Sequence, residues 1–134
     1  MPSLGSAGDL MDPQWARSPT GRFHRFIHLD PEERGLSGVT GVFVLWHGGV
    51  KPEWVYVAKA KDLAAALHEV AKDEDVMYYE VRGGLFVTWS PILPQYQDGV
   101  VRFLAESLKP VIENPAAVAL KAKAIPVFPP AYHP

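Results

Sequence analysis

Twenty residues in the middle of the chain, Gly41–Ala60 (GVFVLWHGGVKPEWVYVAKA), restrict its fold more than any other stretch. Val42, Val44 and Trp46 alternate with Phe43 and Leu45. That is the two-residue period of a strand, here with apolar side chains on both faces. Gly48-Gly49 and Pro52 interrupt the run, and Trp54–Ala58 resumes it. Two strands separated by a glycine-containing turn predict a hairpin.

The flanking sequence supplies helices and one more strand. Asp62 precedes LAAALHEVAKD, in which Leu63, Ala66, Leu67 and Val70 form one stripe. A carboxylate at that position can accept the unpaired N–H groups of a first helical turn. Met77–Val81 reads as a short strand or loop, and Arg82-Gly83-Gly84 turns into LFVTWSPI (85–92), a third strand. Pro91, Pro94 and Asp98 close that strand and open a helix, DGVVRFLAESLKP, that Pro110 ends. Earlier, Gly21–Leu29 fits a short strand or a helical turn, and Asp30-Pro31-Glu32-Glu33 fits a helix start soon ended by Gly35 and Gly38. Residues 1–20 are rich in Gly, Ser and Pro and read as an arm in which only Trp15 looks able to dock. Residues 116–134, with scattered prolines, read as an extended tail.

The totals limit what such a chain does. At 134 residues there is room for a single core, and 48% hydrophobic with 21% charged residues is an ordinary globular balance. No apolar run approaches the roughly 20 residues of a membrane span, and no secretory leader pattern opens the chain, so neither a membrane partner nor export is expected. Without cysteine there is no disulfide and no thiolate zinc site, and a cytoplasmic location is the expectation. The net charge of −2 argues against strong duplex binding, which rests on neutralising phosphates. Lys59, Lys61, Arg82 and Arg102 are the residues from which a nucleic-acid-binding face would have to be assembled.

The order strand, strand, helix, strand, helix predicts an α+β fold, a small mixed or antiparallel three-stranded sheet flanked by helices, with extended arms at both ends. The expected division is an arm over 1–20, a domain over 21–115 and a Pro-containing extension over 116–134. GVFVLW, WVYVAKAKDL and ESLKPVIENP together resemble a GIY-YIG nuclease domain, over about Val39–Pro115. That family has the same order of elements, usually with one more helix before its third strand. The resemblance implies a phosphodiesterase site with a metal-holding glutamate, an arginine at the phosphate and tyrosines near the attacking water. Such groups stabilise the charge that builds on the phosphoryl oxygens and deprotonate the nucleophile.

Matched residue by residue, the site is depleted. Phe43 stands at the first motif's tyrosine, and Ala58 at the second motif's glycine. Tyr56 is retained. The arginine position is Ala66, and a His or Tyr position four further on is Val70. The glutamate lies roughly nine residues before a late proline. Counting from Pro110 gives Val101, counting from Pro115 gives Glu106, and both registers stay open. Tyr56 and Glu106 are therefore the candidate catalytic residues. The expectation is a catalytically degenerate domain reused for binding protein partners or for self-assembly through its arms, with no cofactor and no resident metal. Two alternatives stand beside it: a DNA endonuclease with an altered site using Mg²⁺ or Mn²⁺, and a module that binds nucleic acid without cutting it. His24 and His28 have the spacing of paired ligands but no third, and Asp73-Glu74-Asp75 reads as a solvated turn.

Overall fold

The structure is a computed structural model that describes residues 11–119 and 121–130; parts of the expected arm and tail, residues 1–10, 120 and 131–134, lie outside them. Its centre is β2 (Gly41–His47), every residue of which is buried. On one side β2 pairs antiparallel with β3 (Glu53–Ala60), the hairpin expected from the sequence, and on the other with β4 (Leu85–Pro91). A two-residue strand β1 (His24–Arg25) pairs with β4, so the sheet is four-stranded and antiparallel in the order β1-β4-β2-β3. The expected three strands are present, and the fourth comes from the Gly21–Leu29 stretch. That stretch is part strand and part 3₁₀ turn, since Phe26–His28 closes a helical turn directly after β1.

A strand with two apolar faces needs a covering layer on each. Phe43 and Leu45 face α1 (Leu63–Val70), whose Leu63, Ala64 and Leu67 pack with them and with Val87 and Trp89. Val42, Val44 and Trp46 face α3 (Pro94–Leu108) through Val100, Val101 and Leu104. The register shifts between Leu45 and Trp46, where β3 carries one extra residue. Such a bulge sends neighbouring side chains the same way, and Val55 and Tyr56 both pack on the α1 side while Val57 packs on the α3 side.

Three local readings need correction. Met77–Val81 is neither strand nor loop: α2 (Glu74–Met77) and a 3₁₀ segment (Tyr78–Arg82) fill this connection. Asp73 starts it, its carboxylate accepting from the N–H groups of Asp75 and Val76. Asp30–Gly35 forms successive turns and no helix. Within the tail a short helix, α4 (Pro115–Ala119), begins where Asn114 Oδ1 accepts from Ala116 N–H.

The chain's own ends cover part of both sheet edges, which reduces the unpaired N–H and C=O groups that invite edge pairing. Beyond β1, Ala16 N–H donates to Trp89 C=O, and Thr88 Oγ1 donates to Ala16 C=O. Along β3, the carbonyls of Trp54 and Val55 accept from Val111 and Ile112, and Asn114 Nδ2 donates to Val57 C=O. The two ends also meet: Met11 and Val127 form a parallel bridge, and Trp15 Nε1 donates to Phe128 C=O at 2.8 Å. Gly99 on α3 lets the tail approach, since a Cβ there would lie 2.5 Å from Ile125 Cγ1 and 2.6 Å from Lys123 C=O. Gly99→Ala is therefore expected to lower stability by about 1–3 kcal/mol. Limited proteolysis should then cut first near Lys121 and Lys123; a parent-like Tm and cleavage pattern would show that the tail does not press on α3.

Candidate functional site

The positions matched to the nuclease motifs come together on the α1 side of the sheet. Phe43 is buried there, and Tyr56, Ala66 and Val70, each partly buried, pack against the same cluster. The Phe43 and Tyr56 rings lie 6.1 Å apart, centre to centre, tilted by 48°. Only one hydroxyl, that of Tyr56, is carried by these four residues. Burial, and after it the negative charge of Asp73, raises the Tyr56 phenol above the ordinary tyrosine range. Both effects disfavour the phenolate, so at neutral pH this side chain donates and does not act as a base.

Neither reading of the glutamate reaches Tyr56. Both candidates ride on α3, over the opposite face of the sheet. Val101 is directed into the core beside Val100 and Leu104. Glu106 is 59% exposed and pairs one turn back with Arg102, Nε to Oε2 at 3.3 Å. Glu106 also borders a groove of about 410 Å³ with Arg102, Lys109, Glu113 and Val57.

The candidate nucleic-acid-binding residues are likewise dispersed. Lys59 turns toward α3, where its ammonium meets Asp98 at 2.6 Å. Asp98 thus acts inside the helix as an ion-pair partner and not as its cap. Arg102 is held on the same helix by Glu106 and by Ala122 C=O at 3.4 Å. Lys61 is exposed between β3 and α1. Arg82 sits beyond the other end of β2, its guanidinium 4.5 Å from the centre of the Tyr78 ring. The register explains the separation: Lys59 lies opposite Val42, whereas the Arg82 carbonyl approaches Gly49 past His47. At about 3.4 Å per residue, the two ends of β2 are roughly 20 Å apart.

No group of three His, Cys, Asp or Glu side chains that could hold a metal ion occurs among the described residues. Three of the described histidines, His24, His47 and His68, have structural partners. His24 stacks on Trp89 at 5.3 Å, and His68 pairs with Glu32 at 2.8 Å. His47 is buried, stacks on Tyr79, and bonds Glu53 through Nε2 at 3.0 Å while Nδ1 accepts from Gly49 N–H. Those partners orient the ring with Nε2 toward the carboxylate and Nδ1 toward the backbone N–H.

His24 gives a testable pH dependence. Burial first, and the Arg34 charge second, lower its pKa in the folded chain. The unfolded state therefore binds the proton more readily, so this contribution is present above about pH 6.5 and lost as pH falls below it. Tm should fall between about pH 7.5 and about pH 5, and the fall should be shallower in His24→Gln. Identical slopes for parent and variant would rule His24 out as a source.

No protein-family model matches the chain, and no curated protein or solved structure matches it either. Site reasoning from the sequence missed Lys109, Glu113 and Asn114. Their grouping arises where the chain reverses after α3, an arrangement that no residue spacing announces. One signal was present, a lysine immediately before Pro110 at the expected helix end, where glycine is the common residue.

Proposed function

We propose that this chain is a catalytically degenerate GIY-YIG-like domain that works by binding a partner and not by cleaving a phosphodiester. The observation that carries the reading is the convergence of Phe43, Tyr56, Ala66 and Val70 on one face with a single hydroxyl among them. The element order β2, β3, α1, α2, β4, α3 supports the scaffold half of the proposal, including a short helix ahead of the last strand. The depletion supports the other half. Phe43 is 1% exposed and offers no group to orient water, and Ala66 offers no cation to a phosphate. Each absent charge or donor typically removes a few kcal/mol of transition-state stabilisation. Tyr56 is left with a protonated phenol, separated from both glutamate positions by the sheet. Protein partners, or further copies of the chain, are the occupants this reading favours, with the cytoplasm as the working location.

The test is incubation with linear and branched DNA in the presence of Mg²⁺ or Mn²⁺, following binding and cleavage together. The expected result is no cleavage above background and no salt-sensitive complex. Cleavage that Tyr56→Phe or Glu106→Ala abolishes would overturn the proposal in favour of an active nuclease. Salt-sensitive binding without cleavage would instead support a nucleic-acid module built on Lys59, Lys61, Arg82 or Arg102.

A further inference from the structure

The groove behind α3 has the features of a small-molecule site, and nothing in the nuclease-like reading uses it. Its volume of about 410 Å³ lies within the usual range for ligand pockets. Val57, Ala105 and Ala117 give it an apolar floor, and charges of both signs stand around that floor: Arg102, Lys109, Glu106 and Glu113. The wall is fixed by hydrogen bonds. Asn114 spends its amide on Val57 C=O and its carbonyl on Ala116 N–H, which pins the turn against β3. Glu106 meets Arg102 one helical turn back through Oε2 alone, at 3.3 Å, and the pair stands at the groove's solvent side.

Lys109 is the second, independent observation. It caps α3 in the left-handed conformation at φ 50°, the one non-glycine residue at positive φ among the described residues. Glycine takes that position without steric cost, and lysine does not. Backbone strain of this kind persists where a side chain is needed for something else. Here Lys109 lines the groove.

We infer that the groove binds a small dipolar ligand, an amino acid or short peptide with an apolar side chain. The ligand's carboxylate meets the Lys109 ammonium, its ammonium meets Glu106 and Glu113, and its side chain covers Val57, Ala105 and Ala117. This inference does not rest on the scaffold reading above, and the two stand or fall separately. The probe is L-leucyl-L-leucine, titrated into the full chain and followed by amide chemical shifts. The control is N-acetyl-L-leucine amide, which keeps the apolar side chain and removes both charges. Saturable shifts confined to residues 102–117 and absent with the blocked compound are expected, together with roughly tenfold weaker binding in Lys109→Gln. Lys109→Gly should also lose binding while melting no lower than the parent, because the strained position is relieved. No saturable shift, an equal response to the blocked compound, parent-like affinity in Lys109→Gln, or a lowered Tm in Lys109→Gly would each overturn it.

Discussion

Trp46→Ala should lower stability by about 4–5 kcal/mol, enough to leave little folded protein if the parent is of ordinary stability. Trp46 is 0% exposed on β2, every residue of which is buried. Its ring centre lies 4.8 Å from that of Phe23, 5.6 Å from Trp54 and 6.0 Å from Phe86. Removing it takes away three aromatic contacts and the largest fully buried side chain among the described residues at once. The cavity would be walled by Trp54 of β3, Phe86 of β4 and Phe23; β3 and β4 are both held in place by pairing with β2 and cannot easily collapse into it. Urea denaturation gives the measurement. A loss below about 1.5 kcal/mol would mean that this face repacks freely, contrary to the register described here.

The same strand explains how much of the fold was readable beforehand. Strict alternation over Val42–Trp46 assigns each side chain to a face, because a two-residue period leaves no third choice. The helix after Asp62 was equally legible: its carboxylate accepts from Ala65 N–H, and Leu63 and Leu67 are buried as the stripe predicts. α3 was found but starts a turn early, because Pro94 occupies its first position, where the missing N–H costs nothing. β1 is two residues long and held by β4, too short for a period to separate it from the helical turn that the same stretch also fits and that follows it over Phe26–His28. The site was the least legible part. Tyr56, Ala66 and Val70 share one face of the sheet, whereas Glu106 rides on α3 over the other. Which face of the sheet a helix covers depends on the handedness of chain connections, and residue spacing does not carry that information.

Truncation after Ile112 is the second large effect expected, a loss of about 5 kcal/mol or more, with the cooperative melt broadened or gone. Read from composition alone, the tail was an arm free to lie across other subunits. In the structure it is part of the core of its own chain. Val127 is 2% exposed and Ala117 6%, both within the cluster on the α3 side. The cut also removes the Asn114 bond to Val57, the Ile125 bond to Gly99, and the carbonyl that satisfies the Trp15 indole. Each unmet donor or acceptor at a buried edge adds to the lost apolar burial. Circular dichroism melts of parent and truncated chain measure this directly. A truncated chain that melts cooperatively within a few degrees of the parent would show that the tail is dispensable. Repeating the parent melt over a wide concentration range separates docking from exchange. Intramolecular docking predicts a Tm independent of concentration, whereas a tail traded between copies makes Tm rise with it.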